Sequence, residues 1–235
     1  MAWSRLALAA FALCALPACG PETANLETRL ENPVTRSLYW FRYVGGVDIK
    51  RRCAAGGPDH IRLVYNAVWG EQVRTYDLAP APGGGMSMAA RVMVDQGNVA
   101  SVDVRDLNGL LDPWRMRRTD VALTAAEAAS LRDALGRSGG YGPPPAGREL
   151  RSNEFWWTVA SCVGGRWGFA AYDHASDRFA RVAFAAPLFA LERGAVPVAQ
   201  PRDMAPGQFR RDRERDLNGV GYWQLAIGRD GLRDY

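Results

Sequence analysis

The segment FWWTVASCVGGRWGFAAY, residues 155–172, decides the fold that the sequence predicts. It holds two short runs rich in aromatic and β-branched residues, and the glycine pair between them is typical of a turn between strands. Similar runs, bounded by turn residues, recur along the chain. We predict strands at residues 39–43, 61–68, 73–78, 92–94, 99–104, 155–161, 167–172, 179–184 and 223–227. The sequence therefore predicts a mainly β fold with an antiparallel, β-rich body.

We expect at least one helix to pack against this body. Thr124 and Glu127 have the spacing of a capping box, in which the threonine hydroxyl accepts a hydrogen bond from a first-turn amide and the glutamate reaches back. Apolar residues then recur on one face and predict a helix over residues 125–136. A shorter helix is predicted over residues 187–193. The fold class is thus α+β with β structure dominant.

The N-terminus has the layout of a cleavable export signal. One basic residue, Arg5, precedes an apolar run over residues 6–16 that is too short to span a bilayer. The run ends in Leu-Pro-Ala-Cys, with the cysteine at position 19, which resembles the lipobox of bacterial lipoproteins. The resemblance implies that residues 1–18 are a signal peptide and that Cys19 is the lipidated residue.

That resemblance also implies a location. A lipidated Cys19 would anchor the protein in a membrane, and the polar residues 19–37 would tether the body on the periplasmic side. Gly20, in place of an aspartate after the lipidated cysteine, favours the outer membrane, with the inner membrane as the alternative. A plain secretory signal, cut near Cys19, is the alternative to lipidation.

Two cysteines, Cys53 and Cys162, lie in the body of the exported chain. In an oxidising compartment an isolated pair is most simply a disulfide. Closing a loop of that length stabilises a fold by roughly 4 to 5 kcal/mol in the chain-entropy model. Two unrelated buried thiols are the alternative.

Collinear matches between two parts of the chain indicate an internal duplication. Cys53 and Cys162 are each followed by a glycine pair, and residues 105–109 recur letter for letter at residues 215–219. If a pseudo-two-fold axis relates the two parts, the segments that end at the two cysteines run antiparallel past each other. We therefore predict two pseudo-symmetric β-rich halves, at residues 38–140 and 148–235, joined by a linker at residues 141–147.

Our search for chemistry predicts no catalytic, cofactor or metal site. His60 and His174 lack a metal-ligand spacing, and we interpret both as exposed turn residues. A triad of Ser161, His174 and Asp173 lacks the glycine-flanked elbow of serine hydrolases. The repeated Asp-Leu-Asn-Gly is interpreted as a tight turn, because a calcium loop needs further oxygen ligands. A net charge of +4, with acidic residues among the arginines, does not indicate nucleic-acid binding.

Clustered aromatic residues are the better indication of function. In a strand, adjacent residues such as Trp156 and Trp157 point to opposite faces, so either the sheet is covered on both faces or one ring faces outward. An outward ring would mark a contact surface for a protein or glycan. The candidate binding surface consists of Trp40, Trp114, Arg117, Trp156, Trp157, Arg211 and Trp223.

The function predicted from these features is that of a non-enzymatic, lipid-anchored accessory or assembly factor that binds another envelope protein. An inhibitor or ligand-binding module directed at an envelope enzyme or glycan is the second hypothesis, and a hydrolase is the third. Cys53, followed by a strand that ends in Tyr65-Asn66, is similar to the membrane-bound lysozyme-inhibitor lipoproteins. The inhibitory Ser-Gly-Tyr loop of that family has no counterpart, so no site is carried across.

Overall fold

The computed structural model describes residues 26–27, 33–94, 115–204 and 223–233. These residues form a six-stranded sheet, a three-stranded sheet and five α-helices. In chain order the elements are α1 (Pro33–Val44), α2 (Val47–Ala54), β1 (His60–Ala67), β2 (Gln72–Pro80), β3 (Met86–Val94), β4 (Arg117–Leu123), α3 (Ala125–Arg137), β5 (Glu149–Arg151), β6 (Phe155–Val163), β7 (Arg166–Asp173), α4 (Asp177–Ala180), α5 (Ala185–Glu192), β8 (Gln224–Gly228) and β9 (Gly231–Leu232).

The large sheet has the order β4-β3-β2-β1-β6-β7, and every neighbouring pair is antiparallel. The small sheet has the order β5-β8-β9 and is also antiparallel. The predicted mainly β, antiparallel fold is therefore confirmed. An antiparallel pairing joins β1 to β6, so strands from both predicted halves share one sheet.

Both faces of the large sheet are covered. On one face, Tyr65 and Trp157 belong to a core that includes residues of α3 and α5. On the other face, Val64 and Trp156 belong to a core that includes residues of α1 and α2. All but the last residue of β6 are buried, because its alternate side chains enter the two different cores.

The helix predicted from the capping box is confirmed and runs one residue further than expected, to Arg137. The hydroxyl of Thr124 accepts a 3.2 Å hydrogen bond from the backbone N–H of Glu127. The Glu127 carboxylate in turn accepts a 2.8 Å bond from the backbone N–H of Thr124. The second predicted helix is also present, as α5.

The strand predicted at residues 39–43 is wrong, because this segment lies within α1. Trp40, Tyr43 and Val44 recur at helical spacing and are all buried on one side. The strand predicted at residues 179–184 is also wrong. A single helical turn, α4, occupies its beginning, with an acidic residue in the first turn where it complements the helix dipole.

The disulfide between Cys53 and Cys162 is present, with the two Cα atoms 5.5 Å apart. It joins helix α2 to strand β6, and the antiparallel course of the two segments stays a prediction. Ile49 and Cys53, four residues apart, form the buried face of α2, while Asp48 in its first turn and basic residues in its last turn complement the helix dipole. The duplication itself stays a prediction, since residues 105–109 and 215–219 lie outside the described part of the chain.

None of the helices in the described ranges is both long enough and apolar enough to cross a membrane. The predicted signal peptide at residues 1–18, Cys19 and the predicted strand at residues 99–104 lie outside the described residues.

Candidate functional site

Three tryptophans of the predicted binding surface are buried. Trp40, Trp156 and Trp157 expose 2%, 0% and 1% of their surface. The prediction that they form a contact surface is wrong, because helices, loops and the small sheet cover both faces of the large sheet. Trp156 also donates a 2.9 Å hydrogen bond from its indole N–H to the carbonyl of Arg151, as buried indoles usually require.

Of the remaining predicted surface residues, Trp223 is partly exposed and Arg117 is exposed. Trp223 makes an edge contact with Trp156 on β6, and Arg117 lies on β4. Four strand spacings separate β6 from β4, about 19 Å at the usual interstrand distance. The structure therefore does not bring these two residues together. Trp114 and Arg211 lie outside the described residues.

A network of buried charges lies between the large sheet and the two N-terminal helices. Both oxygens of Asp77 accept hydrogen bonds: Oδ1 from Arg62 at 2.7 Å, and Oδ2 from Arg91 at 3.1 Å and from the Tyr43 hydroxyl at 2.6 Å. Both arginine side chains have no exposed surface. The Arg62 guanidinium also stacks on the Tyr43 ring, 3.7 Å from its centroid. The network therefore joins α1 to β1, β2 and β3.

Two further carboxylates lie beside the same two arginines. Asp48 on α2 accepts 2.7 Å and 3.1 Å hydrogen bonds from Arg62, and Glu27 lies 3.5 Å from Arg91. Burial alone would raise the pKa of Asp77, yet the positive charge of Arg62 and hydrogen bonds from neighbouring side chains hold that pKa well below its ordinary value. The pKa of Asp48 is also lowered, because Arg62 outweighs the effect of its burial.

His60 is not the exposed turn residue that we predicted. It begins β1, its side chain is mostly buried, and Nε2 lies 3.1 Å from Oδ1 of Asp77. Ligand atoms of Glu27, His60 and Asp77 lie within 4.8 Å of one another, a spacing that a metal ion could bridge. However, Asp77 already receives four donors, two of them guanidinium groups. This arrangement is therefore an internally paired charge network, in which a cation would compete with two arginines for the oxygen atoms of Asp77.

A second buried network lies on the opposite face of the sheet. Glu192 at the end of α5 accepts hydrogen bonds from the Arg74 guanidinium and, at 2.5 Å, from the Tyr76 hydroxyl. Arg74 also donates to the carbonyl oxygens of Val196 and Pro197, at 2.6 Å and 3.0 Å. These hydrogen bonds hold the end of α5 and the segment that follows it against β2.

The groups of the rejected serine triad are far apart. Ser161 pairs with Gly168, whereas Asp173, the residue before His174, pairs with Trp156. Five residues along β6 separate the two positions, about 17 Å in an extended strand. Ser161 is buried and its hydroxyl lies 3.4 Å from the carbonyl oxygen of Gly168.

The open site with the clearest chemical character is a cleft of about 790 Å³ between the α1–α2 corner and the β8–β9 hairpin. We call it the basic cleft. It is lined by Phe41, Arg42, Gly45, Val47 and Lys50 on the helical side and by residues 228–233 on the hairpin side. Four of these side chains are cationic, and one, Asp230, is anionic.

Local structure fixes both walls of the basic cleft. Gly46, between α1 and α2, has a φ of 62°, and a Cβ there would lie 2.4 Å from the Cβ of Ala160 on β6. Only glycine allows the helices to turn so close to the sheet. Across the cleft, Lys50 donates a 3.2 Å hydrogen bond to the carbonyl oxygen of Asp230. Lys50, Arg229 and Arg233 are exposed.

The sequence analysis missed this cleft. Lys50 and Asp230 are separated by 180 residues, and no motif links them. The one available signal was the glycine-containing segment 228–231 between Ile227 and Leu232, which is typical of a hairpin.

Comparison with known proteins found no matching family model, no matching curated protein and no matching solved structure.

Proposed function

We propose that this chain is a lipid-anchored protein of the outer membrane that faces the periplasm and binds an envelope protein there, as a non-enzymatic accessory or assembly factor. The observation that carries the proposal is the basic cleft, which presents exposed cations around a concave surface. The membrane anchor rests on the lipobox resemblance around Cys19.

The buried networks support a role as a binding scaffold. Asp77 and Glu192 are the buried carboxylates of the described chain that face polar neighbours, and each is bonded to arginine and tyrosine. A carboxylate acting as general base needs access to a substrate proton. Here the carboxylate oxygens of Asp77 and Glu192 accept hydrogen bonds from the protein's own side chains. These carboxylates therefore hold helices against the sheet.

The basic cleft supports recognition of an anionic surface. Three exposed cations, Lys50, Arg229 and Arg233, converge there, and the aromatic ring of Phe41 adds apolar area. Complementary charge accelerates association and orients the partner. Arginine and aromatic residues are also enriched where protein interfaces are strongest.

The second hypothesis, a ligand-binding module or inhibitor directed at an envelope glycan or enzyme, is favoured by the size of the cleft. A volume of about 790 Å³ lies within the range of pockets that bind small molecules. An anionic sugar polymer would meet the same cations as an acidic protein.

The test of the proposed function is purification of the tagged, lipidated protein from its own membranes in mild detergent, with mass spectrometry of co-eluting proteins. We expect a stoichiometric envelope partner that is lost in the variant Arg229→Glu/Arg233→Glu. Arg137→Glu is the matched control, because Arg137 is an exposed arginine on α3, which packs on the other face of the large sheet from α1 and α2, and its replacement should leave recovery unchanged. Recovery of the protein alone, with both variants like the wild type, would overturn the proposal.

The anchor is tested separately. Cys19→Ser should abolish incorporation of labelled fatty acid and release the protein from the membrane. Continued labelling of the variant would contradict the assignment of Cys19.

A further inference from the structure

The basic cleft contains the free edge of a β-sheet. The order β5-β8-β9 places β9 at one end of the small sheet, so in the described part of the chain β9 has a neighbouring strand on one side only. Gly231 and Leu232 form this edge, and both line the cleft. An unpaired strand edge presents backbone donors and acceptors to any extended chain that approaches it.

The register shows which backbone groups point outward. Arg233 donates a 2.9 Å hydrogen bond from its backbone N–H to the carbonyl of Ala226, and Ile227 pairs with Leu232. Hydrogen-bonded and non-bonded pairs alternate along an antiparallel ladder. Because the pair 226/233 is bonded, Ile227 and Leu232 form a non-bonded pair. The N–H and C=O of Leu232 therefore point away from β8.

Cations lie at both ends of this edge. Arg229 is in the hairpin turn before β9, and Arg233 follows β9 directly; both are exposed. Lys50 reaches the same turn from α2 through its bond to the carbonyl of Asp230. A strand that paired with β9 would thus run between positive charges.

Resting on the proposed function, we propose that the partner inserts an extended acidic segment into the basic cleft, where it pairs as an added strand with β9 through the backbone of Leu232. Main-chain hydrogen bonds supply affinity in this mode of recognition, and side chains supply specificity. Carboxylates on the added strand meet Arg229 and Arg233. The concave cleft fits one strand better than a flat bilayer, and a glycan does not reproduce the spacing of backbone donors and acceptors in an extended strand that the outward N–H and C=O of Leu232 would pair with.

The direct test measures binding of a fluorescein-labelled octapeptide of alternating glutamate and threonine to the full-length lipidated protein in detergent, by fluorescence anisotropy. We expect Arg229→Glu/Arg233→Glu to weaken binding at least tenfold, and Lys50→Glu to weaken it several-fold. The control Arg137→Glu, on α3 and outside the lining of the cleft, should change affinity less than twofold. All of these positions are exposed, so we expect circular dichroism to show that each variant is folded.

Backbone methylation distinguishes strand addition from charge attraction. We expect N-methylation of one alternate set of peptide residues to weaken binding at least tenfold, while methylation of the other set has little effect. Equal binding of both methylated peptides and the parent would overturn the inference. Stronger binding of hexagalacturonate, or of vesicles rich in phosphatidylglycerol, than of the octapeptide would also overturn it, in favour of a glycan or a lipid headgroup.

The octapeptide binding test and the membrane purification can fail independently of each other. If the membrane purification recovers a partner that depends on Arg229 and Arg233, while the octapeptide does not bind, the strand-addition inference is wrong and the proposed function stands. If no partner is recovered but the octapeptide binds with the expected methylation pattern, the cleft is a peptide site and the accessory role is wrong.

Discussion

Replacing Asp77 by asparagine should destabilise the protein by about 3 to 5 kcal/mol, the usual cost of breaking a buried ion pair from one side. Asp77 contacts Arg62 at 2.7 Å and Arg91 at 3.1 Å, and both guanidinium groups are fully buried. At a charge separation near 4 Å and an effective dielectric constant of about 20, each pair contributes about 4 kcal/mol of attraction. The cost of dehydrating the carboxylate offsets part of that sum. The asparagine amide also places an N–H donor near the Tyr43 hydroxyl, which in the wild type donates a hydrogen bond to Asp77.

The assay is urea unfolding at neutral pH, monitored by tryptophan fluorescence, with Asp120→Asn as the matched control. Asp120 pairs with Arg118 at 3.0 Å on the surface, with 65% of its side chain exposed, so its loss should cost less than about 1 kcal/mol. The double variant Asp77→Asn/Arg91→Met should lose less than the sum of its single variants. An Asp77→Asn variant within 1 kcal/mol of the wild type would refute the reasoning.

The pH dependence gives an independent check of the same charge. The pKa of Asp77 is held below its ordinary value in the folded protein, so the unfolded chain takes up a proton first as the pH falls. The stabilisation is therefore complete above about pH 4, the ordinary pKa of an aspartate, and is lost at lower pH. The difference in free energy of unfolding between the wild type and Asp77→Asn should shrink as the pH falls below about 4. A difference that grows between pH 4 and pH 2 would contradict the assignment.

Two further variants test the contacts that hold the α1–α2 corner, one wall of the basic cleft, against the large sheet. Replacing Cys53 and Cys162 by serine should lower the free energy of unfolding by roughly 5 kcal/mol, because the bridge spans 109 residues; urea unfolding of the variant beside reduced wild type measures this. Gly46→Ala should cost about 2 to 4 kcal/mol in thermal unfolding, since the added Cβ would lie 2.4 Å from Ala160 at a positive φ. Gly56→Ala is its control, because Gly56 has a similar φ with nothing within 4 Å, and an equal loss in both variants would show that packing contributes nothing.

The local sequence pattern was sufficient to predict those strands that have one or both faces buried and are followed by a turn. Five predicted strands lie in the large sheet, within a residue of their observed limits or inside them: residues 61–68, 73–78, 92–94, 155–161 and 167–172. The capping box likewise located α3, because its two hydrogen bonds are formed within four residues. These signals are local, and no distant contact overrides them.

Aromatic content misled the prediction at residues 39–43. Tyrosine, tryptophan and phenylalanine favour strands on average, but their preference is decided by the surface they pack on. Trp40 and Tyr43 fill the space above the sheet from a helix, and Trp40 lies 5.0 Å from Trp69 between ring centroids. The helical spacing of the buried residues carried the correct information, and strand propensity concealed it.

The candidate site could not be found from sequence because its parts meet through the tertiary fold. The same is true of the charge network: nothing near Asp77 in the chain shows that Arg62 and Arg91 are its neighbours across β1 and β3. Antiparallel pairing sets them close together, with Arg62 opposite Asp77 and Arg91 two positions from the residue opposite it. A sequence shows that an arginine is present, but only the register shows whether it is buried.

Two sets of arginines in the described residues differ in burial, with different consequences. Arg62, Arg74 and Arg91 are matched by carboxylates inside the fold, so they add little to the field outside. Arg229 and Arg233 are exposed in the basic cleft, where solvent and salt reach them. Interactions between exposed charges are screened over about 10 Å at moderate ionic strength, whereas buried pairs are screened much less. Partner binding at the cleft can therefore respond to ionic strength while the scaffold that shapes it does not.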